Sequence, residues 1–557
     1  MKRLKEKILA TGALRCAALA AAVVALFALA MPVRAGTWTT LANNAPQGVQ
    51  LMILLSDGTV ACYDGGGGNW CKLSPNSSGS YVNGTFSAMA SMNYTRRYNS
   101  AAVLRNGRLF VAGGEYGTGT NTAEVYNPLT DVWTLTGASG VTDFVDPPSA
   151  MLPDGRVLVY AVNHGSIARG TVIYNPAGNS FVNGPATFGS QNESSWVKLP
   201  DDSILTVDKN STAAERYIPS LNTWIHDAAA PQQMYGNGSE IGPAVLLLDG
   251  RAWFIGGNGN TCFYTPSGTT NNGTWAIGPD LPNTQGCPDA PGAVMVNGHV
   301  LFTCSPYAPG TNVFSTPTSY YDYDPVANTF AQQNSPYGGL TANRASYTTC
   351  LLDLPDGNVL YSDQGSQLYV YTPGSAALAS ARPSISTVSW HGNGTLRMTG
   401  TQLNGKTGGA YYGDDLQMDS NYPLVRFSLG GNVYYGRTHD WSSTGVATGG
   451  EVVSTEFNLP SAVFNGPGGA YSMVAVANGV ASLSQTFYGP IWVDFGYSGF
   501  PIEIGSNPFP YNTLAEGVSA VAAGGTIAIK PGSRKELITI TKAMNIIAVG
   551  GTVTIGN

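Results

Sequence analysis

RRYNSAAVLRNGRLFVAGG, residues 96–114, decides the fold. Two short apolar runs flank Asn106-Gly107, and Asn-Gly between such runs is a hairpin signal, because glycine accepts the positive φ that a tight turn requires. The same punctuation returns at Asp57-Gly58, Asp154-Gly155, Asp202-Ser203, Asp249-Gly250, Asn297-Gly298 and Asp356-Gly357, between runs such as RVLVY and AVLLL. With Asn106-Gly107 these are seven markers, spaced 49, 48, 48, 47, 48 and 59 residues apart.

A second marker follows most of the hairpins: YNPLTDVW (126–133), YNPAGNSF (174–181), YIPSLNTW (217–224) and YDPVANTF (323–330). The tyrosine ends a third strand, proline and small polar residues make a turn, and an aromatic opens a fourth strand. Looser versions, CKLSP, FYTPSGTTNNGTW and VYTPG, stand in units one, five and seven. Seven four-stranded units near fifty residues each resemble a kelch-type β-propeller. The seventh lacks its own fourth strand, and TWTTLA (37–42) is expected to supply it, closing the ring without an open edge.

The 557 residues include 70 glycines and 34 prolines, which suits an all-β chain dense in turns. Charged residues make up only 11% and the net charge is −7, so no basic face is present for nucleic acid. Residues 1–35 have a basic start (Lys2, Arg3, Lys5, Lys7), an apolar run and Val33-Arg34-Ala35, the pattern of a secretory signal peptide. A secreted or cell-surface protein with no membrane span after cleavage is therefore expected. Six cysteines remain after it, Cys62, Cys71, Cys262, Cys287, Cys304 and Cys350. An even number in an exported chain points to disulfides, expected here as 62–71, 262–287 and 304–350.

The propeller is expected over 36–381. Residues 382–488 alternate in short runs with frequent turns, the pattern of a small immunoglobulin-like (E-set) β-sandwich. Residues 489–557 hold a short amphipathic helix candidate (513–522) and four brief strands. This last stretch resembles the entry cap and first coils of a parallel β-helix of the pectin-lyase kind.

Signal peptide, propeller and sandwich together resemble the galactose oxidase and glyoxal oxidase family of secreted copper-radical enzymes, over residues 36–488. RRYNSAAV (96–103) and SYTTCLLDLPDG (346–357) carry the likeness. The resemblance implies a copper held by two histidines and two tyrosines, one tyrosine being cross-linked to a cysteine. Tyr347 falls on the axial tyrosine position, but Thr348 stands where the adjacent histidine belongs. The best local match for the second histidine, YYGDDLQMD (411–419), places Gln417 there. The five histidines (164, 226, 299, 391, 439) have no ligand-spaced neighbour, and Asp414, Asp415 and Asp419 read as loop residues rather than a calcium site.

Counting back eight or nine residues from each turn gives the start of each innermost strand, at one mouth of the channel. Arg97, Asp146, Glu193, Glu240, Asp289 and Tyr347 stand there, with Arg96 alongside. Four carboxylates converging on one axis repel one another unless they are hydrogen-bonded, protonated or paired with a cation. They are read either as caps on backbone N–H groups of neighbouring blades or as a site for sugar hydroxyls or a cation such as calcium. The expectation is an exported binding protein for carbohydrate or an extracellular protein partner, without a cofactor and not an active oxidase. The alternatives are a copper-radical oxidase with displaced ligands, or a carbohydrate hydrolase or lyase using the carboxylates of the mouth.

Overall fold

The computed structural model describes residues 35–556 except 119–120, 146, 165–166, 192, 237–240, 311–313, 392–394, 410–420 and 501. The signal-peptide stretch up to residue 34, the site candidates Asp146 and Glu240, and Gln417 with Asp414, Asp415 and Asp419 lie outside the described residues.

Each repeated hairpin turns in the same way. In the first, the Leu55 N–H donates to the Thr59 carbonyl (2.7 Å) and the Gly58 N–H to the Leu55 carbonyl (3.0 Å). The acid side chain completes the turn: Asp57 Oδ1 accepts from the Thr59 N–H at 3.0 Å. Only the glycine has positive φ, +78° at Gly58 and +74° at Gly107. The loop is therefore a type I turn closed by one left-handed residue, not the two-residue turn expected from Asp-Gly. In the fourth hairpin Asp201 Oδ1 accepts from the Ser203 N–H (3.1 Å), while Asp202, at φ +64°, takes the place of glycine. That marker is Asp201-Asp202, one residue earlier than its sequence suggests, because aspartate tolerates the left-handed region.

Seven antiparallel blades follow from these hairpins. The second blade is typical, with Ser100–Val103, Leu109–Ala112, Ala123–Asn127 and Val132–Leu135 from the axis outward. The tyrosine marker has a mechanical role. Tyr126 donates to Asp131 (2.9 Å), Tyr174 to Asn179 (2.8 Å), Tyr217 to Asn222 (2.8 Å) and Tyr323 to Asn328 (2.7 Å). Each acceptor sits at positive φ just before the outer strand, so the hydroxyl holds the turn while the ring packs in the blade. Ser195 Oγ to the Gly242 carbonyl (2.7 Å) and Thr303 to Thr349 (2.8 Å) tie neighbouring blades near the axis. The seventh blade is Cys350–Asp353, Val359–Ser362 and Tyr369–Thr372, with Thr37–Thr40 as its outer strand, antiparallel to Tyr369–Thr372.

Beyond the ring, Ser384–Trp390, Leu396–Thr401, Val452–Asn458, Asn432–His439, Leu424–Leu429, Ala470–Ala477 and Val480–Ala481 form one curled antiparallel sheet, with Gln485–Tyr488 also paired to Ala470–Ala477. It closes on its own core of Leu396, Met398, Val425, Phe427, Phe457 and Tyr471. This sheet covers the turn side of the propeller. Arg437 donates to the Asn106 carbonyl (2.6 Å), Arg426 to the Pro355 carbonyl (3.1 Å), and Lys198 to the Thr444 carbonyl (2.7 Å). A cavity of about 90 Å³ remains on the axis between Leu54, Val103, Trp196 and Leu352 of the blades and Tyr422 and Trp441 of the sheet. In the last segment the helix Leu514–Ala520 starts at a Thr513–Glu516 capping box. Thr526–Ile529 runs parallel to both Ile491–Val493 and Asn545–Ala548, and Gly532–Arg534 is parallel to Val553–Ile555.

The six cysteines among the described residues are buried thiols. Cys62 and Cys71 are cross-strand partners and their thiols interact, which raises Cys62 and lowers Cys71. Cys287 interacts with Cys304. The expected pairings 262–287 and 304–350 are therefore corrected: Cys287 packs with Cys304 in one core, and Cys262 lies in another.

Candidate functional site: the open mouth of the channel

The sheet covers the turn side, so the opposite mouth, where the innermost strands begin, is where an axial ligand would enter. Left-handed backbone marks the place in three blades: Tyr98 at φ +52°, Glu193 at +55° and Asp289 at +49°. Each stands eight residues before its turn acid or amide, Asn106, Asp201 and Asn297. In the second blade the equivalent residue is thus Tyr98 rather than Arg97.

Arg97 is nonetheless at this mouth. Its guanidinium carbon is 5.2 Å from the ring centre of Tyr98 and 5.6 Å from that of Tyr116, and the two rings meet edge to face at 6.2 Å. Burial opposes its charge, but the tyrosines around it, Tyr98, Tyr116 and Tyr347, hold its pKa above the ordinary arginine value. Tyr347 packs against Phe314, ring centres 4.7 Å apart, and Gln364 Nε2 is 3.4 Å from the Tyr98 hydroxyl.

Glu115 completes the group. Its N–H donates to the Arg97 carbonyl at 2.7 Å, three residues beyond the Ser100–Ala112 end of the hairpin ladder. Desolvation first, and the charge of Glu193 second, push its carboxyl up to about 7. Tyr116 and Arg97 pull the other way without cancelling this. One half-buried acid therefore holds its proton close to neutrality beside a second acid and a cation.

Arg96 does not belong to the mouth. Successive residues of an extended chain point to opposite sides, and Arg96 is wholly buried inside its blade. It contacts Glu124 (3.2 Å), the Gly113 carbonyl (3.2 Å) and the Thr122 carbonyl (2.8 Å). Glu124 in turn accepts from the N–H groups of Asn93 (2.7 Å) and Tyr94 (3.1 Å), and Glu215 does the same for Phe188 (2.8 Å) and Gly189 (2.9 Å). Glu124 and Glu215, both on third strands, thus cap backbone N–H groups.

Sequence reasoning missed Tyr98, Tyr116 and Glu115. The signal was available: a hairpin whose register pairs Ser100 with Ala112 must return residue 115 opposite residue 97. Among the histidines with described side chains, His226 stacks on Phe188 (3.7 Å), His299 contacts Asp322 (2.8 Å), His391 contacts Glu456 (3.2 Å) and His439 contacts Asp440 (2.7 Å). Thr348 Oγ1 donates to the Ala345 carbonyl at 2.8 Å.

These features define a seven-bladed β-propeller with one open mouth. Residues 96–136 match the Kelch motif. Among solved structures, a fungal alcohol oxidase of the AA5 family in complex with copper shares 13% identity and a TM-score of 0.49, over 82% of this chain and 99% of that one. A streptogramin B lyase shares 12% identity (TM-score 0.41, 61% of this chain and 98% of that one). The virginiamycin B lyase of Staphylococcus aureus shares 11% (TM-score 0.41, 60% and 99%). No curated protein matches the sequence. Likeness at these identities concerns the fold. Among the described residues no helix is long and apolar enough to cross a membrane.

Proposed function

We propose that this is an exported binding protein whose open propeller mouth holds a carbohydrate. The observation that carries the reading is the array of Arg97 between Tyr98 and Tyr116, with Glu115 and Glu193 beside it. Exposed aromatic faces pack on the apolar faces of sugar rings, carboxylates accept hydroxyl hydrogen bonds, and a protonated Glu115 donates one. Residues 1–35 act in this reading as a secretory leader, 382–488 as an immunoglobulin-like sandwich and 489–557 as the start of a pectin-lyase-like parallel β-helix. The cross-strand pair Cys62–Cys71 and the pair Cys287–Cys304 are the ones that an oxidising compartment would bridge.

The copper-radical chemistry of the resembled family does not suit these donors. Tyr347 packs against Phe314 near Arg97, Thr348 offers a hydroxyl already engaged with a carbonyl, and the four histidines with described side chains have partners elsewhere. A hydroxyl is a poor substitute for imidazole on Cu(II). Glycan-array binding by the secreted protein, lost in Tyr116→Ala, tests the proposal; array binding unchanged in that variant would overturn it. Copper loading with an oxidant should give neither tyrosyl-cysteine radical absorption nor peroxide from galactose or small aldehydes.

One observation favours a second reading. Glu115, protonated near neutrality beside Glu193, resembles the acid of an acid–base pair. Reducing ends or unsaturated products released from polysaccharides would move the assignment to a hydrolase or lyase.

A further inference from the structure

We propose that the sheet beyond the propeller carries a divalent transition-metal site of the zinc type, held by His439, Asp440 and Glu456 with His391 as fourth ligand. His439 ends its strand directly opposite Glu456 in the neighbouring strand, so the two side chains share a face. His439 Nδ1 lies 2.7 Å from Asp440 Oδ2, and one ligand atom from each of His439, Asp440 and Glu456 falls within 4.8 Å of the others. His391 reaches the same carboxylate from another chain segment, with Nε2 3.2 Å from Glu456 Oε1. Two imidazoles and two carboxylates form a nitrogen and oxygen donor set of the kind that holds zinc.

The surroundings favour this. Arg397 stands directly opposite Glu456 on its other side, yet donates to Ser454 Oγ at 3.0 Å. Thr395 Oγ1 donates to Glu456 Oε2 at 3.2 Å, which orients the carboxylate as the outer partners of metal ligands do. The site is accessible: the side chains of His391 and Asp440 are 48% and 61% exposed. The six cysteines of the described residues, which as thiols would be the stronger competitors for zinc, are all buried. Ligands about 2.1 Å from a tetrahedral ion lie roughly 3.4 Å apart, so the atoms of His439, Asp440 and Glu456, which lie within 4.8 Å of one another, must close by up to about 1.4 Å on binding, and His391, outside that group, must swing in towards them. The ion would staple the strand end that leads into Trp441 and Thr444, which line the axial cavity.

The test is titration of the full chain with Co²⁺ followed by visible absorption, with Zn²⁺ competition by calorimetry. One ion per chain is expected, with weak nitrogen and oxygen type bands and a rise in melting temperature. His439→Gln and Glu456→Gln should each weaken binding at least tenfold, about the effect of disturbing a metal site's shell or more, and His391→Gln should weaken it to a smaller degree. If His439→Gln does not fold, Asp440→Asn, on an exposed side chain, carries the test. No saturable binding, thiolate charge-transfer bands, or undiminished affinity in the folded variants would each overturn the site.

Discussion

Trp38 lies directly opposite Tyr371, the first described strand against the third strand of the last blade, with ring centres 4.8 Å apart. The indole also donates to the Asn334 carbonyl at 2.6 Å and meets Tyr320 and Tyr361 edge to face. The two ends of a ring of more than 300 residues are thus joined by one four-residue strand.

Removing residues 36–42 should therefore open the seventh blade and leave the edge of Tyr369–Thr372 unpaired. Trp38→Ala, which keeps the strand, should cost about 2 kcal/mol through lost aromatic packing. Thermal unfolding of both variants checks this. A melting temperature unchanged by the truncation would mean that the ring closes without the strand.

The adjacent arginines separate stability from binding. Arg96→Ala removes the guanidinium that faces the buried Glu124 and should cost about 3–5 kcal/mol. Arg97→Ala, exposed at the mouth, should change stability by about 0.5 kcal/mol or less while binding is lost. Denaturant unfolding beside a glycan-binding assay distinguishes them, and the opposite assignment of effects would place Arg96 in the site.

Much of this was legible in the sequence, for physical reasons. A type I turn closed by a left-handed residue needs glycine or a tolerant aspartate, so the turns wrote a period into the chain, and the strand TWTTLA stood out because the seventh unit lacked one. Where the chemistry was degenerate the reading slipped: Asp201-Asp202-Ser203 offered two aspartates, and only the left-handed φ of Asp202 fixes the register. That slip concealed Tyr98 as the partner of Glu193 and Asp289. Arg96 and Arg97 are identical in type, and only the alternation of the chain decides which is buried. Glu115 was missed because its significance lies in its neighbours, Arg97 and Glu193, which other segments bring to it.

Glu115 should give the stability a pH dependence of its own. Its carboxyl titrates near 4.5 in the unfolded chain and at about 7 in the folded one. Below the first value both states hold the proton and nothing changes. Between the two the unfolded chain releases a proton that the folded chain keeps, so stability declines as pH rises, and above about 7 the decline is complete. Glu115→Gln should remove that slope and be the more stable protein above neutrality. Chemical denaturation at intervals across this window is the measurement, and a slope identical in the variant would show that Glu115 is not the group responsible.

The mouth itself is tested by its acids and its rings together. Glu193 and Tyr98 share the left-handed backbone that begins an innermost strand, and Tyr116 and Glu115 return to the same place through the hairpin. If a sugar binds there, Glu193→Gln should cost about 1.5–3 kcal/mol of binding, the range for hydrogen bonds to charged groups. Tyr116→Ala should lose a comparable amount through stacking, since its ring is 73% exposed and contributes little to the core. Protonation gives a further discrimination. A neutral sugar keeps its affinity as pH falls through 7, because neutral Glu115 still offers a donor, whereas a cation is released as the carboxylates are neutralised. Binding measured by calorimetry at pH 5.5 and 8, set beside the melting temperatures of both variants, gives the answer. Unchanged affinity with a large loss of stability would make these residues part of the propeller's scaffold, and the functional reading of the mouth would fall with it.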